Sequence, residues 1–193
     1  TAPNYESPHD ANTNNEYIVQ VQVTDGTANV SQTITVTVTD INEHSPVITS
    51  STSGSFAENA TSTAYTVTSS DQDGTSTATY SIIGGADQSD FSVNSSSGAI
   101  TFNVTPNYES PHDADTGNNY IVIVEVSDGQ TADSETITIS VTDVNEFAPE
   151  ITSNGNGSTA SISFAENNTA TITTVTSSDQ DGTSTATYSI IGG

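Results

Sequence analysis

The 193 residues include no lysine and no arginine, and no cysteine, methionine or tryptophan. Against that blank stand 24 aspartates and glutamates, so the formal net charge is −24 at pH 7. A chain without basic side chains has no surface for nucleic acid or an anionic membrane. It has no Lys or Arg salt bridge and cannot form a lysine Schiff base. Without cysteine there are no disulfides, thiolate zinc sites or cysteine nucleophiles. The longest apolar run is five residues, Tyr120 to Val124, too short to span a bilayer. Neither nucleic acid nor a membrane is therefore an expected partner.

What is present is patterned. Hydrophobic residues make up 31% of the chain, and serine plus threonine about a third. Such polarity with such charge could describe a disordered chain. The apolar residues are instead gathered in alternating β-branched runs, which suits sheets with one solvated face.

Self-similarity is nearly literal. The stretch Pro3 to Asp10 recurs at Pro106 to Asp113, and Asp40-Ile41-Asn42-Glu43 recurs as Asp143-Val144-Asn145-Glu146, both shifted by 103. Ser55 to Asn59 recurs at Ser163 to Asn167, and Asp71 to Gly85 recurs unchanged at Asp179 to Gly193, both shifted by 108. The five extra residues fall in the Gly/Asn/Ser stretch from Asn154 to Ser158, as a surface loop tolerates. The period divides the chain into residues 1–43, the C-terminal part of one repeat; 44–146, a complete repeat; and 147–193, the N-terminal part of the next. Neither flanking part holds enough strands to close a core alone.

Alternation predicts strands over 17–23 and 134–141, with Asp-Gly turns at 25–26 and 128–129 closing hairpins. Further strands are expected at 46–49, 54–56, 63–68, 77–83, 91–93 and 99–103. No amphipathic helical stretch is visible. About seven short strands in 103 residues predict an all-β fold, a two-sheet Greek-key sandwich of immunoglobulin-like type.

The carboxylates gather at strand ends and turns. Unpaired, neighbouring carboxylates repel by about 1 kcal/mol per pair in water and more when partly buried. A hard divalent cation removes that cost. Calcium suits a set of carboxylates, amides and backbone carbonyls, of which it takes about six to eight oxygens. The alternative is that these acids only solubilise turns.

Phe56-Ala57-Glu58-Asn59, Asp71-Gln72-Asp73, Asn107-Tyr108-Glu109, Asp128 and Asp143-Val144-Asn145-Glu146-Phe147-Ala148-Pro149 stand in the order of the cadherin repeat. With Tyr80 to Gly85 and Gly98 to Phe102, the chain resembles bacterial cadherin-like tandem repeats of large surface proteins and adhesins. That resemblance implies Ca2+ between consecutive repeats. At the first junction it assigns Glu6, Asp40, Asn42 and Glu43, with Asp71, Asp73 and Asp128 from the following repeat. At the second it assigns Glu58, Glu109, Asp143, Asn145 and Glu146, with Asp179 and Asp181 beyond. Asn4 and Asn107 replace the usual aspartate, Glu43 and Glu146 replace the last linker aspartate, and His44 or Phe147 follows. Fewer than three ions per junction are expected.

Other signals are weaker. The loop from Asp113 to Asn119, like Asp10 to Asn14, places oxygen ligands at alternate positions and reads equally as a calcium loop or a polar turn. The threonine face of 33–39 is one strand per repeat, too little for a flat ice-binding array. His9, His44 and His112 read as solvated rather than metal-bound. No Gly-x-Ser-x-Gly elbow exists, and no enzyme activity is expected. The resemblance thus implies a calcium-rigidified spacer or adhesion repeat at the cell surface. Its expected partners are neighbouring repeats of its own or identical chains, with glycan or cell-surface ligands reached through other domains. The rival readings are a self-assembling filament subunit and a carbohydrate- or ice-binding module.

Overall fold

The computed structural model describes residues 2–74, 77–182 and 185–193. Among these the regular structure is strand, apart from one 3-10 turn at Gln88–Asp90. The first hairpin pairs β1 (Glu16–Thr24) with β2 (Asn29–Thr37). The middle repeat carries β3 (Val47–Ile48), β4 (Ser53–Ala57), β5 (Tyr65–Thr66), β6 (Ser69–Ser70), β7 (Thr79–Gly84), β8 (Phe91–Val93), β9 (Ala99–Phe102), β10 (Asn119–Ser127) and β11 (Ala132–Thr142). Beyond it lie β12 (Glu150–Ile151) and β13 (Ser177–Ser178), paired antiparallel.

The middle repeat is a sandwich. One sheet runs β4-β11-β10-β7, with β4 parallel to β11; the other runs β5-β9-β8, and β3 pairs with β6. Period-two alternation sends Tyr120, Val122, Val124 and Val126 of β10, and Ile137, Ile139 and Val141 of β11, into the core. Ile100, Phe91 and Val67 meet them from the opposite layer. Phe102 meets Phe91 at a 42° tilt, ring centroids 4.4 Å apart, and Tyr120 edge-on at 5.0 Å.

The expected strand 63–68 is shorter: only β5 (Tyr65–Thr66) lies within it and pairs with β9, whereas β6 begins beyond it at Ser69 and pairs with β3. Between them Val67 is fully buried and its amide donates to the Gly98 carbonyl. Gly98 has φ +69°, and a Cβ there would overlap the Val67 carbonyl, so the crossing needs glycine.

The hairpin β1–β2 repeats the register of β10–β11, including the amide of Val38 donating to Asn15 as Val141 does to Asn118. Its inward positions are nonetheless open: Val19 is 51% exposed and Val122, its counterpart, 0%. Turn and pairing make the hairpin; burial comes from an opposing sheet.

Candidate metal centres at the repeat junctions

The strands deliver acids to two places, where repeats meet. At the first, Glu6, Glu43, His44 and Asp73 present ligand atoms that all lie within 4.8 Å of one another. Asp73 comes from the turn after β6. Its amide donates to Asp71 Oδ1 (3.0 Å), and its own Oδ2 accepts from the His44 amide (2.8 Å). That bond ties the end of the linker to the following repeat and aims Oδ1 into the cluster. Asp73 Oδ1 is buried without a hydrogen-bond donor, as are both carboxylate oxygens of Glu6 and the Asn42 side-chain oxygen. Desolvation, then the charges of Glu6 and Asp73, raises the Glu43 carboxyl above its usual value; Asp40 adds to this and His44 opposes it.

At the second junction Glu58, Glu109 and Asp143 form a group within the same limit. Glu58 projects from the bend after β4 and is buried. Its Oε2 accepts from the Tyr108 amide (2.7 Å) and its Oε1 from the Val144 amide (2.8 Å). One carboxylate therefore holds both the Asn107-Tyr108-Glu109 segment and the start of the linker. Asn59, in the left-handed region at φ 59°, donates from its side chain to Glu146 Oε1 (2.9 Å). Both Glu109 oxygens are buried without a donor, and desolvation, then Glu58, Glu146 and Asp143, raises its carboxyl.

Across the same linker Asp181 repeats the frame of Asp73. The Phe147 amide donates to its Oδ2 (3.0 Å), its own amide to Asp179 Oδ1 (3.1 Å), and its buried Oδ1 has no donor. The Asn145 amide group lies 2.8 Å from Asp181 Oδ2 and 3.3 Å from the Phe147 carbonyl. With its nitrogen toward them it donates to both; with its oxygen toward them, three oxygens converge and only a cation reconciles them. The assigned residues thus fall into three sets: Glu6, Glu43 and Asp73; Glu58, Glu109 and Asp143; and Asn145 with Asp179 and Asp181. Glu146 stands beside the second set and Asp40 beside the first. Asp128 caps its own turn, accepting from the amides of Gln130 and Thr131 (both 2.7 Å), with the Asn42 side chain also holding its carboxyl down. These are the oxygen donors a hard divalent ion requires.

His44, expected to be solvated rather than metal-bound, stands half-exposed among the acids of the first junction, 4.0 Å from Asp73 Oδ1. One feature lay beyond the sequence reading. Asp87 is buried and accepts from the amides of Ala114 (2.6 Å) and Ile121 (2.7 Å). It fastens the 113–119 loop to the sandwich. In that loop Asp113 Oδ2 and Asp115 Oδ1 both accept from the Gly117 amide, while the buried Asp113 Oδ1 has no donor. In the first copy Asp10 Oδ2 likewise accepts from the Asn14 amide.

The order of these elements has known counterparts. Residues 52–142 match the family model of the cadherin domain. Those 91 of the 193 residues, all within the middle repeat, are similar to a cadherin domain. Human Protocadherin Fat 1 is 32% identical over 125 residues, covering 61% of this chain and 3% of that protein. The solved Protocadherin GammaB4 extracellular domain is similar at 26% identity with a TM-score of 0.56, over 75% of this chain and 23% of that one. Human CDH23 EC21-23 shares the fold at 19% identity and a TM-score of 0.62, over 90% of this chain and 57% of the fragment. The chain thus spans a small part of the length of the curated relative it matches.

Proposed function

We propose that the chain is a spacer and adhesion segment of a large extracellular cell-surface protein, stiffened by Ca2+ at the junctions between its cadherin-like repeats. The observation that carries this reading is the first junction. Glu6 and Glu43 of one repeat and Asp73 of the next converge within 4.8 Å, with Asp73 Oδ1 buried and undonated, in a chain without one basic side chain. Asp40, Asn42, Asp71 and Asp128 would complete that set. Glu58, Glu109, Asp143, Asn145, Glu146, Asp179 and Asp181 would form the second.

Each ion would neutralise carboxylates from both sides of a junction and fix the linker between them. Without it, like charges about 4 Å apart repel by about 1 kcal/mol per pair in water and about 4 kcal/mol at a protein surface. With about 1 mM calcium and a dissociation constant of about 0.1 mM, each site adds roughly 1.4 kcal/mol. The natural partners are neighbouring repeats of the same or identical chains, and the acidic surface keeps molecules apart where calcium and salt are plentiful. The bacterial adhesin-type setting implied by the motif wording belongs to the same proposal.

Calcium titration calorimetry on the 193-residue chain tests this, paired with small-angle scattering before and after chelation. Saturable heat, and a broader distribution of shapes in the chelated protein, are expected. No heat and superimposable scattering curves would remove the calcium mechanism.

A further inference from the structure

One acidic loop takes no part in either junction. Asp113, in the segment that leads into β10, is 4% exposed. Its Oδ2 accepts from the Gly117 amide (2.8 Å), which turns its Oδ1 away from that backbone, and Oδ1 is buried without a donor. The turn accounts for only half of this carboxylate. The first copy repeats the arrangement on a different loop sequence: Asp10 Oδ2 holds the Asn14 amide, and Asp10 Oδ1 is again buried and undonated.

Other acids face the same place. Asp87, 3% exposed, accepts from the Ala114 amide (2.6 Å) and so sits against the peptide that joins Asp113 to Ala114. Asp90 closes the 3-10 turn that follows, its amide bonded to the Asp87 carbonyl (3.0 Å). Desolvation, then the charge of Asp87, raises the Asp90 carboxyl; Asp113 adds to this and the exposed ring of His112 opposes it. The charges of Asp113 and Asp90 also reach the buried Tyr120 hydroxyl. The acids acting on Glu109 are instead Glu58, Glu146 and Asp143, so this group is separate from the second junction.

We infer that the middle repeat holds a hard divalent cation of its own, between the 3-10 turn and the 113–117 loop, with Asp113 Oδ1 as its fixed ligand and Asp87 and Asp90 as further ones. The two Asp87 oxygens accept the amides of Ala114 and Ile121, and each keeps a lone pair for a metal. Three carboxylates suit calcium, which takes about six to eight oxygens, and water fills the remaining positions. Buried acids with no Lys or Arg in the chain otherwise have one imidazole as their only counter-charge. An ion here fastens the loop to the sandwich, so that calcium stiffens the body of a repeat as well as its seams. The site stands whether or not the junctions bind calcium.

The test is a calcium titration of the isotope-labelled, chelator-treated 193-residue chain followed by NMR. The amides of Ala114 and Ile121 report on Asp87, and that of Gly117 on Asp113. Saturable shifts of all three are expected by about 1 mM calcium, the upper range for extracellular modules. Asp113→Asn, which keeps an oxygen for the Gly117 amide, and Asp90→Asn should each weaken this response by about tenfold or more, as loss of even an outer partner of a metal ligand does. The shifts should persist in Asp143→Ala, whose change lies in the second junction. Loop amides that do not saturate by about 1 mM, that respond within about twofold of the parent in either Asn variant, or that fall silent in Asp143→Ala would overturn the inference. The Val144 amide, bonded to Glu58, reads the junction in the same spectra. Val144 shifts beside a silent loop leave the proposed function and remove the inference; loop shifts beside a silent Val144 do the reverse. Metal-free spectra check that the Asn variants are folded, and where one unfolds the other decides.

Discussion

The two junctions can be compared residue for residue. In each, an aspartate at the end of an Asp-x-Asp segment receives the linker amide and leaves its second oxygen for something else: Asp73 with His44, and Asp181 with Phe147. They differ in what surrounds that oxygen. At the first junction Glu6 and Glu43 stand with Asp73 in one group; at the second, the tight group is Glu58, Glu109 and Asp143, and Asp181 faces Asn145. The lesson is that a repeated hydrogen-bond frame fixes where a linker runs, while the side chains hung on it decide which charges meet.

The largest effect is expected from breaking the frame on the side of the middle repeat. Glu58→Ala leaves the part-buried amides of Tyr108 and Val144 without their carboxylate acceptor. At about 1–3 kcal/mol for each unsatisfied group, it should destabilise the middle repeat by up to about 6 kcal/mol in urea denaturation. A loss under 1 kcal/mol would show that water replaces the carboxylate. Next come Asp73→Asn and Asp181→Asn, each of which weakens a charge-assisted acceptor of one linker amide by about 1 kcal/mol. Hydrogen exchange should speed up at the His44 amide alone in the first variant and at the Phe147 amide alone in the second. Joint acceleration would break the picture of independent junctions.

Acidity sharpens the comparison further. Glu109 and Glu43 have carboxyls raised above 4.5, chiefly by desolvation and then by neighbouring carboxylates. In the metal-free protein the folded state therefore holds more protons than the unfolded chain between pH 4.5 and their raised values. Its stability is lost as pH rises through that window and is fully present below it. Asp128 runs the other way, with its carboxyl lowered from 3.8 to about 2, first by the Thr131 and Gln130 amides. Its contribution is present above pH 3.8 and lost as pH falls toward 2. The chelated protein should thus be most resistant to urea near pH 4, and calcium should move that optimum upward, because protons compete with it for the same carboxylates. An unmoved optimum would contradict calcium binding at these acids.

The smallest effects belong to the two hairpin turns. Asp25 and Asp128 both accept amides from the residues two and three positions on, but Asp128 also holds the Thr131 hydroxyl (3.0 Å). Asp128→Ala should lower the melting temperature slightly, and Asp25→Ala less. The opposite ranking would mean that the exposed hairpin, rather than the sandwich, limits stability.

The long hairpin is legible in the sequence, because alternation over 134–141 and the Asp-Gly turns act within a few residues. The end of β5 at Thr66 and the separate start of β6 at Ser69 are not. They depend on Val67 meeting Gly98, a contact with no local mark in either segment. The junction acids could be named from their order and repetition, yet their grouping depends on pairings 30 to 100 residues apart. Asp87 was illegible for the same reason. A lone aspartate in a turn says nothing until the fold brings the amides of Ala114 and Ile121 near.

The anchoring of the linker carries a mechanical consequence. Glu58 pins the amide of Val144 from one side and Asp181 pins that of Phe147 from the other. Only the backbone torsions of Val144, Asn145 and Glu146 lie between the two pinned amides, so the junction could swivel about those few torsions. Pulled taut, three residues span at most about 11 Å. A long chain of such modules would kink at its seams yet keep nearly its full contour, like a folding rule rather than a spring.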